Sequence, residues 1–363
     1  MIKFIHTADV HMGMEFKKAS FCSEFAKKRR NEIKETFFNI VSRAEETQAN
    51  FLLISGDLFE DQFITIGELK DINKYFSKIN STKVIIIAGN HDPIINNKSY
   101  YNLIDWANNV YIMDTNIEKL SFDELGVDIY GLSWDKKQIT ANLLKDIVVE
   151  DSDRINILLA HGDIYQKSNY LPINKNNLLS KEFDYVALGH IHKHDFIESN
   201  IAYPGSPEPL DFGETGKHGI IEGEISKDKL NISFLPFAKR EFIILDIEVD
   251  NNMTIEDIID NTLTILSEYD FNNLYRFNLK GIRDRDIIFD LEYIKNRVEE
   301  CVIYAEIIDN TTPDYDLGKL KEDNRDNVIG KYIEYMEKQN IEDEISRLAL
   351  YEGIEALLSE KVN

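Results

Sequence analysis

Short apolar runs alternate with longer amphipathic stretches through the first 200 residues, the pattern of strands and helices taking turns. Apolar runs predict strands at 2–7, 51–55, 84–88, 155–160 and 185–188, and three- and four-residue periodicity predicts helices at 23–47, 66–79 and 99–108. From about 201 to 236 the pattern shortens into briefer strands and turns. A second alternation then reads strand 242–249, helix 254–269, strand 274–280, helix 286–299 and strand 302–308. That β-α-β-α-β series is about 70 residues long, enough for a small domain. Thr311-Thr312-Pro313-Asp314 predicts an exit from it. The tail, 324–361, carries two helical stretches, the second from Ile341, with Ile341, Ile345, Leu348, Ile354, Leu357 and Leu358 at helical spacing. Such a face docks either on its own chain or on a partner. The expected organisation is therefore 1–240, 241–312 and 313–363.

Composition sharpens this in three places. With 43% hydrophobic and 29% charged residues, the chain can bury a sizeable core and is not globally disordered. No apolar run approaches the roughly 18 residues of a membrane span, and the opening Met1-Ile2-Lys3-Phe4-Ile5-His6 predicts a strand rather than a secretory leader. Two distant cysteines, Cys22 and Cys301, exclude a disulfide framework and a Cys-rich zinc site, and they suit a cytoplasmic location.

The formal charge of −24 argues against a nucleic-acid partner until its distribution is considered. From Glu241 onward 13 Lys and Arg face 30 Asp and Glu, a net of −17, which leaves −7 for the first 240 residues. Surface charge is largely screened beyond about 8–10 Å, so an acidic last third does not forbid phosphate binding elsewhere.

The candidate chemistry follows the strands. Each N-terminal strand runs into a polar cluster: Asp9-Val10-His11, Gly56-Asp57, Gly89-Asn90-His91-Asp92, His161-Gly162-Asp163 and Gly189-His190-Ile191-His192. In open α/β sheets ligands bind beyond the carboxyl ends of strands, so the five clusters can converge. Singly each is weak. Asp9 and His11 are two apart, so an extended chain puts both side chains on one face; His161 alone fits a satisfied core histidine, and Asn90 a turn. The joint placement is the signal, because six of the eight histidines (His6, His11, His91, His161, His190 and His192) lie at or beside these ends. Carboxylate, imidazole and one amide oxygen suit Mn²⁺, Fe²⁺ or Zn²⁺, whereas all-oxygen sites suit Mg²⁺ or Ca²⁺. Seven candidate ligands are too many for one ion and right for two about 3.5–4 Å apart, a clamp for in-line displacement at phosphorus. One carboxylate must then bridge, and Asp57 is the choice.

Taken in order, these five motifs resemble those of the calcineurin-like metallophosphoesterases across about the first 200 residues. His6-Thr7-Ala8-Asp9-Val10-His11-Met12-Gly13, Gly56-Asp57-Leu58-Phe59 and Tyr203-Pro204-Gly205-Ser206 are similar to the SbcD-type DNA-repair exonuclease subfamily, of the YhaO-like kind. The resemblance implies an α/β fold: a two-sheet αββα sandwich, then a small β-α-β-α-β capping domain and a C-terminal helical segment. It implies one ion held by Asp9, His11, Asp57 and His192, and another held by Asp57, Asn90, His161 and His190. His91 would face the phosphate and protonate the leaving oxygen. Glu60, where relatives carry Asp or His, would orient His91. Asp92 would support the site structurally, and His6 would pack behind it. His194 and His218 read as exposed loop histidines, and Trp134 as core.

The resulting expectation is a Mn²⁺-dependent phosphodiesterase or nuclease acting on DNA, with Fe²⁺, Zn²⁺ and Mg²⁺ as the alternative ions. By resemblance its partners are an SbcC-type coiled-coil ATPase, bound by the C-terminal helices, and a second copy of the chain in a homodimer. Two alternatives stay open: a metallophosphoesterase acting on a small phosphodiester or phosphoprotein, and a non-catalytic scaffold or regulatory subunit of an ATPase complex.

Overall fold

A computed structural model describes residues 1–16, 21–95, 99–165, 168–339 and 343–359. Contacts divide the chain into two units, Met1–Glu241 and Phe242–Asn363. The first unit runs β1 (Ile2–Thr7), α1 (Ser23–Glu46), β2 (Phe51–Ser55), α2 (Ile66–Phe76), β3 (Lys83–Ile87), β4 (Val110–Ile112), β5 (Glu118–Phe122), β6 (Val127–Gly131), β7 (Ile155–His161), α3 (Lys175–Leu179), β8 (Tyr185–Gly189), β9 (Asp195–Glu198), β10 (Ile201–Tyr203), β11 (Gly219–Ser226) and β12 (Lys229–Pro236). Two six-stranded sheets result, in the orders β12-β11-β1-β2-β3-β4 and β5-β6-β7-β8-β10-β9.

The central strands β1, β2, β3, β7 and β8 pair in parallel within their sheets and are buried almost throughout. That is why they read as near-continuous apolar runs rather than alternating ones. Phe4, Leu53, Ile85 and Ile87 of one sheet meet Ile129, Ile157, Leu159 and Ala187 of the other in a shared core. Outside the first sheet, Ile33, Phe37, Ile40 and Val41 of α1 and Leu69, Ile72 and Phe76 of α2 pack on Leu52, Ile54, Val84 and Ile86. Leu178 of α3 joins Leu158, Val186 and Leu188 outside the second sheet. The architecture is the expected αββα sandwich. The briefer strands expected after 201 include two of eight residues, β11 and β12, an antiparallel hairpin joined to β1.

One helix expected in this unit does not form. Over 99–108 there is only a single 3₁₀ turn, Tyr100–Asn102. The Asn73 side chain competes for the backbone beyond it, donating to Asp105 O and accepting from Ala107 N–H, both at 2.8 Å.

The second unit runs β13 (Phe242–Val249), α4 (Ile255–Leu266), β14 (Leu274–Arg283), α5 (Leu291–Glu299), β15 (Tyr304–Pro313), α6 (Leu317–Asp323), α7 (Val328–Met336) and α8 (Glu344–Ser359). Its three strands form a parallel sheet in the order β13-β14-β15. Helix α5 starts five residues later than expected, because Asp290 caps it by accepting from Tyr293 N–H at 3.0 Å. Thr311–Pro313, read as an exit, lie inside β15, paired with Gly281–Arg283. Two helices, α7 and α8, lie in the tail as expected, and α6 precedes them. The expected start at Ile341 lies outside the described residues. Leu350 and Ile354 of α8 pack with Ile329, Ile333 and Met336 of α7, with Leu357 and Leu358 against them. Much of that apolar face therefore docks on its own chain, while Ile345 stays exposed.

Candidate metal centre

The five clusters sit at or just beyond the carboxyl ends of β1, β2, β3, β7 and β8, and the two sheets bring them together at one end. Beyond β1 and β2 the chain keeps its parallel partnership: Asp9 N–H donates to Gly56 O (3.1 Å), His11 N–H to Asp57 O (3.0 Å) and Met12 N–H to Leu58 O (3.0 Å). The backbone itself is left-handed here. Asp9 and His11 have φ of 52°, Asp57 51° and His190 100°. Asp9 and His11 are thus joined by two left-handed kinks and not by an extended segment. Such positions cost non-glycine residues on the order of 1 kcal/mol or more each, and they cluster at functional sites.

Two motif glycines make room for the cage. Gly56 lies at φ +90°, and a Cβ on it would fall 2.3 Å from His161 Nδ1. A Cβ on Gly89 would fall 2.3 Å from Asp57 Oδ1 and 2.8 Å from His161 Nε2. Any side chain at Gly89 would occupy the space that the ligand groups share.

Asp57 is the hub. Its Oδ2 lies 3.3 Å from His161 Nε2 on one side and 3.9 Å from His11 Nε2 on the other. On the first side Asn90 Oδ1 is 3.0 Å from His161 Nε2, and Asp9 joins Asp57 and His161 in one cluster. On the second side His11 Nε2 and His192 Nε2 are 3.1 Å apart, with Asp9 Oδ1 4.0 Å from His192 Nε2. His190 donates its backbone N–H to Asp9, while its ring stands 5.3 Å from that of His161 and 4.8 Å from that of Tyr170 between centroids. Among the described residues, His190 is outside the tightest carboxylate–imidazole groupings.

Three imidazoles have their outer nitrogen engaged. His161 Nδ1 lies 2.8 Å from Ser55 O, His11 Nδ1 2.8 Å from Glu60 Oε1, and His192 Nδ1 2.6 Å from Glu214 Oε1. Each arrangement turns Nε2 inward, the orientation typical of metal-bound histidine. Glu60 does more than expected: its Oε2 is 3.0 Å from His91 Nδ1, so one carboxylate holds both His11 and His91. Burial opposes its charge, but hydrogen bonds from the two imidazoles outweigh burial and bring its pKa to about 2.

Asp92 holds the loops together. It accepts from the N–H groups of Asp57 (3.2 Å), Leu58 (2.7 Å) and Gly89 (2.6 Å) and from the Tyr101 hydroxyl (2.7 Å). Burial and the neighbouring Asp57 push its pKa to about 6. His6 lies behind the site with Nδ1 2.9 Å from the Tyr185 hydroxyl, and burial lowers its pKa to about 3. Trp134 is fully buried and donates to His161 O at 2.8 Å, as core. His194 stacks on Phe234. His218 is not an exposed loop histidine: it is buried against Ser206. Glu214 carried no signal in the sequence, being one of the chain's 65 acidic residues and outside the five strand-end motifs.

The donor set fits cations. Asp9 and Asp57 are almost wholly buried, and among the described residues they form ion pairs with histidines alone, with no lysine or arginine. Burying unpaired carboxylates is costly. Burial alone would lower the His161 pKa, yet Asp57 and Asp9 raise it to about 9. His192 likewise rises to about 9 against burial, through Glu214 and the same carboxylates. The cage attracts positive charge, and oxygen and imidazole nitrogen are the ligands that divalent transition ions take.

The family model for calcineurin-like phosphoesterases matches residues 2–194. "Uncharacterized metallophosphoesterase YhaO" of Bacillus subtilis is 28% identical over 248 residues, covering 62% of this chain but only 59% of YhaO. "DNA double-strand break repair protein Mre11" of Archaeoglobus fulgidus is 27% identical over 344 residues, covering 84% of this chain and 73% of that protein. A subunit of the nuclease SbcCD of Staphylococcus epidermidis is 22% identical over 377 residues, covering 94% of this chain and 95% of that one.

Proposed function

We propose a nuclease function on a plain premise: this chain belongs to the calcineurin-like phosphoesterase family. On this reading it is a two-metal phosphodiesterase that cuts DNA. The observation that carries it is the single carboxylate Asp57, set between His161 and His11, with the backbone N–H of His91 donating to that same carboxylate at 2.8 Å. Asp9, His11, Asp57 and His192 would hold one divalent ion, and Asp57, Asn90, His161 and His190 the other. Bound there, the pair supplies charge neutralisation at the phosphate and activation of water; Mn²⁺, Fe²⁺ and Zn²⁺ all suit the ligand set, and Mn²⁺ is the ion we propose. His91, anchored at Nδ1 by Glu60, is free to offer a proton from Nε2 to the leaving oxygen.

The relatives named for DNA double-strand break repair and for a nuclease support DNA as the substrate. On the same footing residues 1–240 are the nuclease domain and 241–312 a capping domain. Residues 313–363 would engage a coiled-coil ATPase of the SbcC type, and two copies of the chain would pair in the cytoplasm. The test is a panel of single-stranded DNA, duplex ends, a cyclic nucleotide and an aryl phosphodiester under Mn²⁺. Turnover of both DNA substrates well above the others is expected. Turnover confined to the small esters would overturn the DNA reading.

A further inference from the structure

The Tyr203-Pro204-Gly205-Ser206 segment and the loop after it remain without a role, and they lead to one. Ser206 N–H donates to His192 O at 2.9 Å, so the segment fixes the backbone of His192. Gly205, at φ +75°, passes so close that a Cβ on it would fall 2.4 Å from the same oxygen. Eight residues beyond Ser206, Glu214 closes the circuit. Its Oε1 is 2.6 Å from His192 Nδ1, and its Oε2 accepts from Leu210 N–H (2.9 Å) and the Ser206 hydroxyl (3.2 Å). His218 braces both, with Nδ1 2.9 Å from Ser206 Oγ and Nε2 3.1 Å from Glu214 O.

The loop has a rigid base. Buried Arg29 of α1 donates to Pro209 O (2.9 Å) and to Glu208 (3.1 Å), which also accepts from the Thr36 hydroxyl (2.6 Å). A carboxylate held this way dictates the imidazole tautomer. In the neutral ring that a cation requires, Nδ1–H committed to Glu214 leaves the lone pair at Nε2 facing inward, towards His11 and Asp9.

We propose that Glu214 is a positioning residue that sets the tautomer and aim of His192 and thereby the affinity of the cation on the His11–His192 side. The inference rests on His192 being a metal ligand. It names a residue outside the five strand-end motifs.

Calorimetric titration of the full chain with Mn²⁺, without substrate, tests it. Glu214→Ala weakens one of two binding events by about 10–100-fold and leaves the other, the range expected when a ligand loses its outer partner. Glu214→Gln, whose amide oxygen still accepts from Nδ1–H, recovers most of that loss. Ser206→Ala, which removes one anchor of the carboxylate, shifts the same event less. Metal-free melting separates orientation from simple scaffolding. A Glu214→Ala protein that melts lower but binds both ions as wild type overturns the assignment, and so does a Gln variant no better than Ala. If Ala fails to fold, the Gln and Ser206→Ala isotherms decide alone, and unchanged binding in both overturns it. Wild-type chain that binds two Mn²⁺ yet cuts no DNA removes the substrate reading and leaves this comparison standing.

Discussion

The two units spend their carboxylates differently. Both alternate strand with helix, and both place acids just past their strands. In the second unit those acids serve the backbone. Asp257 shares a capping box with Thr254, Asp316 caps α6 through Lys319 N–H at 2.9 Å, and Asp314 accepts from Arg285 N–H at 2.9 Å. They stay in water, where charge costs little. In the first unit Asp9 and Asp57 are withdrawn from water and surrounded by imidazoles. All eight histidines of the chain occur by position 218, and none lies in the second unit. Acid count is therefore a poor guide to chemistry, since in the more acidic unit the described residues form no such cage. What matters is a carboxylate buried without a fixed cation.

The sharpest break of this contrast is Asp57→Asn against Asp314→Asn. The first removes several kcal/mol of transition-state stabilisation, about a thousandfold or more in Mn²⁺-dependent turnover, and the second leaves rates unchanged in the same assay. His91→Asn comes next. It lowers kcat by about 10²–10⁴-fold, while Mn²⁺ isotherms match wild type, because His91 is the proposed proton donor and not a ligand.

Acid sensitivity sharpens the contrast further. His6 has a pKa of about 3 in the fold against 6.5 free. A depressed folded value means that the unfolded chain takes up the proton first as pH falls. Its contribution is complete above pH 6.5 and is lost on acidification towards pH 3, on the order of 2 kcal/mol by pH 5. Denaturant melts at pH 7 and pH 5 measure this, and His6→Gln should flatten the difference. Amide exchange in β13–β15, corrected for intrinsic rates, should show no histidine-linked step over the same range. The smallest effect is Thr254→Ala, which loses the α4 cap and costs about 1 kcal/mol locally. Exchange in α4 rises while Mn²⁺-dependent turnover stays as it was.

Legibility in the sequence follows burial. The five chemistry-bearing strands were readable within a residue or so, because a parallel strand buried on both faces is an unbroken apolar run. The side chains that gather in the cage were readable because polar groups stood just beyond. The 99–108 helix was not, since a distant asparagine captured the backbone it needed. The geometry of Asp9 and His11 was not, because residue spacing carries no sign of φ. His218 and Glu214 were invisible for a related reason: their roles depend on a loop folding back on His192, and neither has a periodic or motif partner.

The left-handed backbone at Asp9 and Asp57 has a consequence for descent. Asparagine is among the few side chains at ease in that conformation, and it is nearly the same size as aspartate. Exchanging one for the other would silence hydrolysis and relieve a buried charge while the turn kept its shape. On the proposed two-metal reading, a lineage could thus drift from hydrolysing a phosphodiester to merely binding one in a single step, with its architecture undisturbed.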